Sequence, residues 1–487
     1  MKDSGSNTTQ KTVVPVVETI SADLLTPLAV YLKLSANGGN SFLLESVEGG
    51  ESLGRYSFVG VDPEMTVRGD HSFVKIEDDA GERSTQEPMF QFLRRHFATR
   101  TVVSEDELPP FIGGSIGYFG FNCAGWFEPS LQHAFDDEDG AAFMFFSSVV
   151  AFDHAKQVVK IISLVFPDEH DEGELNEAYR KARGRNESIR NALVTAPVEV
   201  PGGAAAPPDA TLSSNWSRES FEHAVDEIKD LIRAGECYQV VISQRFSRST
   251  GAHPVSIYRA MRSLNPSPYM FILQMGSRHV IGASPEMLVK CSGRSLEYRP
   301  IAGTRARGKT AAEDAILAEA MRADTKEIAE HLMLVDLGRN DLGRVAEYGS
   351  VKVDILMDVE KYSHVQHLVS RLSATLRPDL DRFDALAACF PAGTVSGAPK
   401  VRAIEIIHSM EPDPRGVYAG AVGYFDYSGN MDMCIAIRTL VLTDGVAHVQ
   451  AGAGIVADSV PASEYDETVN KAKALLKALD IAEGGTL

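Results

Sequence analysis

The sequence predicts an α+β protein built on largely antiparallel sheets, and three observations predict it. Short strand-like runs recur along the whole chain. Segments with apolar residues at helical spacing lie among them, but in mixed order and without the regular βαβ spacing of a doubly wound sheet. The chain has 487 residues and is 44% hydrophobic, which is material for a large core.

Taken in order, the opening MKDSGSNTTQK is polar, without the apolar stretch of a signal peptide and with too little Arg for a transit peptide. Ser41–Leu44 and Tyr56–Val59 read as short strands, with Gly49-Gly50 between them as a turn signal. Phe143–Phe152 and Val158–Val165 read as two more strands. The acidic runs Asp136–Asp139 and Asp168–Glu174 read as solvated loops. Gly173–Leu193 reads as a charged helix, and the Pro-, Ala- and Gly-rich Ala196–Ser214 as a linker. The linker divides the chain into an N-terminal region, residues 13–195, and a C-terminal region, residues 211–481. The second region opens on a helix with Ser217 as N-cap, Phe221, Val225, Ile228, Leu231 and Ile232 at helical spacing, and Gly235 as its end. Tyr238–Phe246 follows as a strand with alternating faces. Further strands are expected at Tyr269–Gln274, Val280–Ala283, Tyr418–Phe425 and His448–Ala451. Helices are expected at Ala311–Asn340, Phe383–Cys389, Ala398–His408 and Ser463–Ile481.

Composition excludes several function classes. Lys plus Arg number 47 and Asp plus Glu 67, a formal net charge of −20, which argues against broad nucleic-acid binding. No run approaches the ~18 apolar residues of a membrane span. The five cysteines, Cys123, Cys237, Cys291, Cys389 and Cys434, are widely spaced with no CxxC, which fits reduced thiols in a cytoplasm rather than disulfides or zinc. An anionic substrate of such an acidic chain needs local positive charge.

Two carboxylate pairs, Glu327 with Glu330 and Glu464 with Glu467, are spaced i, i+3 and so share a helix face. Two such faces brought together suit Mg²⁺, which prefers oxygen ligands. Each pair alone fits a solvated helix face equally, and Ser463 with Asp466 also fits a capping box. Lys471, four residues after Glu467, is either a surface partner or a cation for a substrate carboxylate. GTVSGAPK at Gly393–Lys400 is not a Walker A loop; it is a tight turn or an anion site at a helix N-terminus. Gly452-Ala453-Gly454 is a tight turn or lets a ligand approach the backbone. His367 is a lone histidine with either a structural or a catalytic role. Arg438, inside an apolar strand-like run, needs a partner such as a carboxylate, and Tyr418 is a hydroxyl donor for the same anion. These residues describe a Mg²⁺ site for a small carboxylated substrate without naming it.

The chain also carries motifs that resemble the anthranilate synthase component I family of chorismate-utilising enzymes. The resemblance runs from about Leu43 to the C-terminal helix. It is carried by LLES (Leu43–Ser46), RYSFVG (Arg55–Gly60), NPSPYMF (Asn265–Phe271) and RPIAGTRARG (Arg299–Gly308). EHLMLVDLGRNDLGRV (Glu330–Val345), GTVSGAPKVRA (Gly393–Ala403), QAGAGIVADSVP (Gln450–Pro461) and ETVNKA (Glu467–Ala472) complete it. It implies antiparallel sheets packed in a sandwich with surrounding helices. By resemblance, Glu330 and Glu467 hold Mg²⁺, supported by Glu327 and Glu464, and the metal clamps the ring carboxylate of chorismate. Tyr418 and Arg438 match positions for the enolpyruvyl carboxylate. Gly303, Thr304, Gly452, Ala453, Gly454 and Lys471 match positions around the ring and its carboxylate. His367, Thr304 and Gln239 take the catalytic positions, His367 as an acid–base residue near the departing C4 hydroxyl.

Two positions separate the chemistries within this group. Isochorismate and salicylate synthases carry a water-activating Lys where this chain has Gln239, and an amide is not a base. Aminodeoxychorismate synthase carries a nucleophilic Lys where this chain has Ala302. The resemblance therefore implies a lyase that takes ammonia and releases anthranilate and pyruvate, the first committed step of tryptophan biosynthesis. Aminodeoxychorismate synthase, an isochorismate-type isomerase and a catalytically silent tryptophan-sensing subunit are the alternatives. No cysteine stands in a GxCxG elbow, so a partner glutamine amidotransferase subunit is expected to supply the ammonia. Glu45, Ser46, Pro268, Tyr269 and Met270 match a tryptophan feedback site.

Overall fold

Successive residues of the strand Ser41–Glu45 enter different cores: Phe42 joins one apolar cluster and Leu43 another. This period-two alternation places the strand in a sheet buried on both faces. A computed structural model describes residues 11–46, 54–98, 100–131, 140–202, 204, 210–361 and 365–484, with only the backbone of Thr304 and Lys326. Two large sheets hold the described strands. In the first, Ser41–Glu45, Tyr56–Val61, Ser148–Asp153 and Val158–Val165 share a surface with Gln239–Ser249, Tyr269–Met275, Arg278–Ser284 and Val446–Ile455. In the second, Gly114–Phe119 and Ala141–Phe146 run beside Ala421–Asp426, Met431–Ile435, Met287–Ser292, Val365–Thr375 and Ile301–Ala306. Strands from either side of the linker are thus hydrogen-bonded neighbours: Leu43 pairs with Ile272, and Gly117 with Gly423. Among the described pairings only Lys11–Val13 with Arg100–Val102 is parallel.

The sheets face each other through aromatic rings. Phe42 meets Phe146 edge-on at 4.8 Å between ring centroids, and Phe58 meets Tyr424 at 6.2 Å. Such pairs contribute about 1 kcal/mol each beyond the area they bury. The outer face of the first sheet, with Leu43, Val59, Ile161 and Ile272, is covered by helices Pro27–Leu34, Glu172–Thr195, Pro254–Leu264 and Pro461–Gly484. The outer face of the second packs on helices Met89–Phe97 and Arg382–Cys389, where Phe383 stacks on Phe425 at 4.4 Å. The result is the expected α+β arrangement of largely antiparallel sheets with surrounding helices.

Several expected boundaries move, each for a local reason. Phe143–Phe152 is two strands, Ala141–Phe146 and Ser148–Asp153, in different sheets, with the chain turning at Ser147. Both are buried on both faces, so the run shows no polar break. Ala311–Asn340 is two helices, Ala311–Ala323 and Thr325–Gly343, separated by Asp324 in an extended conformation. The helix after GTVSGAPK starts at Lys400, because Pro399 precedes it as cap and Ala398 pairs with Gln239. Tyr418 lies before the strand Ala421–Asp426 rather than in it. The last helix starts at Pro461, and Ser463 N–H already bonds Val460 O, so Ser463 is not its cap. Arg438 stands between strands Met431–Ile435 and Thr439–Thr443 at φ +48°, not inside a strand. Ser217 caps its helix as expected, accepting from Ser220 N–H. Met1–Gln10, Gly49-Gly50, Asp136–Asp139 and part of the linker (203 and 205–209) lie outside the described residues.

Candidate active site

The strand Gln239–Ser249 and its partner Val446–Ile455 form one wall of a cavity of about 910 Å³. Gln239, Gly452 and Gly454 face it. Ala453, between the two glycines, is fully buried in the core instead, so period-two geometry removes it from the expected lining. The glycines are there because side chains need the space. A Cβ on Gly454 would stand 2.6 Å from Gln239 Nε2, and one on Gly452 would stand 2.8 Å from Tyr418 Oη.

The strands Ile301–Ala306 and Val365–Thr375 form the opposite wall, with a bulge between Ala302 and Thr304. Gly303 is the bulged residue, at φ +66°, a conformation that favours glycine. A Cβ there would also lie 2.8 Å from Glu327 Oε2. The bulge turns the Gly303 carbonyl toward His367, whose Nδ1–H donates to it at 3.1 Å. A carbonyl only accepts, so Nδ1 carries the proton and Nε2 the lone pair. Burial lowers the His367 pKa, which keeps the ring neutral at neutral pH. Thr304 pairs with His367 across the strands, and its side chain lies outside the described residues.

Charged groups close the cavity. Arg438 lines it, and among the described residues makes no ion pair. Beside it stands Glu286, which sequence reasoning missed. It is 6% exposed, and burial pushes its carboxyl up to about 8 while Arg438 pulls the other way. It lies in the short connection SPE between two buried strands; a lone acid within an apolar stretch was the available signal. Thr394 of GTVSGAPK also lines the cavity, and its side chain stands beside the Glu286 carboxyl, where it favours the ionised form against burial. Lys400 of that motif is instead committed to Asp341 at 2.9 Å, so its ammonium serves to tie the loop to helix Thr325–Gly343.

The carboxylate pairs come from two helices that both border the cavity. Glu330 on Thr325–Gly343 and Glu464 and Glu467 on Pro461–Gly484 line it. Glu327 is outside the lining, beside Arg305 at 3.5 Å. Glu467 pairs with Lys471 at 2.7 Å, and Lys471 also donates to Gly452 O at 3.0 Å. These are donors of the kind a hard divalent cation takes. Among the described residues no three His, Cys, Asp or Glu groups stand close enough together to hold an ion.

Residues 39–477 match the family model described as chorismate binding enzyme. The chain belongs to that family. Among curated relatives, it is 45% identical to the anthranilate synthase component 1 of Pseudomonas putida over 96% of each chain. It is also 45% identical to that of Thermus thermophilus, over 97% of this chain and 99% of the relative. Among solved structures it is similar to anthranilate synthase component I from Streptococcus pneumoniae, with a TM-score of 0.75 and 34% identity over 94% and 99% of the two chains. The menaquinone-specific isochorismate synthase of Escherichia coli matches at a TM-score of 0.71 and 20% identity over 97% and 96%, a likeness of fold alone.

Within this chorismate binding enzyme, both discriminating positions reach the cavity: Gln239 and Ala302 line it, and neither offers a base or a nucleophile. The expected tryptophan residues are only partly together. Glu45 pairs with Met270 across the first sheet, and Ser46 Oγ donates to Pro268 O at 2.6 Å. Glu45 is buried and already engaged by Tyr258 Oη and by Arg262 at 3.2 Å, two partners that sequence reasoning missed. Tyr269 points to the other face of its strand, where its hydroxyl donates to Asp432 at 3.1 Å.

Proposed function

We propose that this chain is the chorismate-binding component of an anthranilate synthase, a Mg²⁺-dependent lyase that converts chorismate and ammonia to anthranilate and pyruvate. The observation that carries the reading is the pair Gln239 and Ala302 in the cavity of a chain 45% identical to anthranilate synthase component 1 proteins along nearly its whole length. With no lysine at position 239 to activate water and none at position 302 to attack the ring, ammonia is the nucleophile this cavity leaves room for. Tyr418 Oη and Arg438 bind the enolpyruvyl carboxylate. Glu330 and Glu467 would hold Mg²⁺, with Glu464 and Glu327 behind them; when bound, the ion supplies positive charge for the ring carboxylate.

Two titratable groups are set for opposite tasks, which is how one site runs both acid and base chemistry. Glu286 is protonated at neutral pH and can donate; His367 is neutral, with the lone pair on Nε2, and can accept. Ammonia forms the C2–N bond, the ring double bonds shift, and the C4–O bond breaks; the hydroxyl leaves as water with the Glu286 proton, and the new C2 ammonium returns a proton to Glu286 through solvent. His367 then takes the C2 proton as the C3–O bond breaks, which aromatises the ring, and that proton goes to the methylene carbon of the departing enolpyruvate to give pyruvate.

All five cysteines are free and buried. Burial raises the Cys291 thiol to about 11 and moves Cys389 and Cys434 up as well. Such thiols are poor nucleophiles, which supports a separate glutamine amidotransferase subunit as the ammonia source. No described helix is long and apolar enough to cross a membrane. With the free thiols this supports a cytoplasmic place for the enzyme, and Glu45, Ser46, Pro268 and Met270 support tryptophan feedback. The test is to incubate the purified chain with chorismate, Mg²⁺ and ammonium and follow anthranilate fluorescence and pyruvate. Stoichiometric formation of both is expected, with glutamine replacing ammonium only once the partner subunit is present. Folded protein that forms no anthranilate would overturn the reading.

A further inference from the structure

Arg415 and Glu411 form an ion pair behind the cavity wall, with side chains only 1% and 4% exposed. A buried pair is by itself weak evidence of stabilisation, because desolvation opposes the attraction. What distinguishes this one is where its remaining hydrogen bonds go. Arg415 Nε and Nη2 donate to the two carboxylate oxygens of Glu411 at 2.8 and 2.6 Å. Nη1 donates to Val395 O at 2.7 Å and Nη2 to Val241 O at 2.6 Å. Val395 and Val241 come from different elements, and both line the cavity. The guanidinium also lies 4.4 Å from the Phe121 ring centroid and 5.7 Å from that of Tyr418. On the far side, Glu411 Oε1 accepts from Ser243 N–H at 2.7 Å and Ser243 Oγ at 2.8 Å. Gln450, another cavity residue, donates to the same Oγ at 2.9 Å.

Tyr418 needs such support because its own backbone belongs to no regular element. It lies in a turn between Gly416 at φ +58° and Ala419 at φ +63°, the second a strained conformation for a residue with a Cβ. Strained backbone persists where surrounding contacts over-determine it. We propose that Arg415 is a positioning residue for the substrate: it joins strand Gln239–Ser249, the Val395 turn and the Tyr418 ring into one wall, and so fixes the Tyr418 hydroxyl where the substrate carboxylate docks. This rests on the role of Tyr418 in the proposed function. An arginine is required because a planar fork meets a carboxylate bidentately while its outer N–H groups reach two carbonyls in other directions; a lysine ammonium has three donors and no fork.

The test is a double-mutant cycle on the full chain, with Arg415→Lys, Tyr418→Phe and the double variant. Its readouts are the Kd for chorismate by calorimetry and KM against kcat in the ammonium assay. Each single change is expected to raise Kd and KM by about 10-fold. The double variant should also stay near 10-fold rather than about 100-fold, because Arg415 acts through Tyr418. Multiplying effects, or a lowered kcat with Kd and KM unchanged, would overturn the proposal, since that is what loss of stability alone produces. Should Arg415→Lys not fold, Ser243→Ala removes one hydroxyl from the same network, and a Kd increase of about 3-fold that vanishes in the Tyr418→Phe background is expected; an increase that persists there overturns the proposal. Wild-type protein that binds chorismate but forms no anthranilate would refute the proposed reaction, with the Kd cycle still deciding the role of Arg415. Wild-type protein that binds no chorismate would refute both.

Discussion

Replacing Glu286 by Gln keeps the shape of a buried side chain and removes its titration, and the consequences can be worked out for both rate and stability. The carboxyl is displaced by burial from 4.5 to about 8. Below the unfolded value both states are protonated and the group has no effect. Between 4.5 and about 8 the unfolded chain ionises while the folded one stays protonated, so folding stability falls as pH rises. Above that window the loss is complete and on the order of 5 kcal/mol. Denaturant unfolding at several pH values should therefore show the wild type losing stability relative to Glu286→Gln from weakly acidic to alkaline pH, by several kcal/mol in all. The difference between the two proteins isolates this group from every other that titrates. For the rate, the protonated form is the proton donor of the proposed reaction. Wild-type kcat/KM, expressed against free ammonia rather than total ammonium, should be level around neutral pH, where His367 is neutral and Glu286 protonated, and fall toward tenfold per pH unit above about 8. Glu286→Gln should lower the rate by about 10²- to 10⁴-fold and abolish that limb. A variant within about threefold of wild type, or parallel stability curves for the two proteins, would refute the reasoning.

Gly303→Ala forces a Cβ onto a left-handed residue and to within 2.8 Å of Glu327 Oε2; stability should drop by about 1–2 kcal/mol and kcat/KM by at least about tenfold as the His367 anchor shifts, and unchanged kinetics would show that the bulge does not orient His367. Glu330→Gln and Glu467→Gln should each remove Mg²⁺-dependent turnover by about two orders of magnitude, read as rate against Mg²⁺ concentration; retained activity in both would remove these carboxylates from the metal site. Ser46→Ala loses the hydrogen bond to Pro268 O, about 1 kcal/mol, so tryptophan should inhibit roughly fivefold less well with the chorismate KM unchanged; an unmoved inhibition curve would place the tryptophan site elsewhere.

Much of this site is local pattern, and that part was legible. The i, i+3 glutamates share helix faces by the helical period alone, and Glu330, Glu464 and Glu467 do border one cavity. The glycines at 303, 452 and 454 stand out in sequence, but the reasons for them are tertiary: a carboxylate, a hydroxyl and an amide from distant segments occupy the space a Cβ would take. Ala453 was misplaced by reading the glycine run as one loop, whereas it is a strand whose alternate residues face away. Glu286 carries no periodic partner, and its raised pKa comes from tertiary burial that no local pattern reports. Phe143–Phe152 could not reveal its turn at Ser147, because both strands are buried on both faces. The sandwich itself depends on which strands pair across the linker, and no composition signal reports that.

The charge of the cavity then decides how an acidic chain accepts an anion. The net charge of −20 disfavours one, so the site must offer positive charge that its own acids have not neutralised. Lys471 is partly spent on Glu467 and the Gly452 carbonyl. Arg438 is not, among the described residues, and the cavity carboxyl that acts on its charge is Glu286. An ionised Glu286 would compete with a substrate carboxylate for the same guanidinium; a protonated one leaves Arg438 unopposed. In the proposed reaction burial of Glu286 would therefore serve binding as well as proton transfer, and the two roles separate kinetically. Loss of the donor lowers kcat. Ionisation of Glu286 beside Arg438 weakens carboxylate binding, so the chorismate KM should rise through the same alkaline limb in wild type and stay level in Glu286→Gln, where no charge can form.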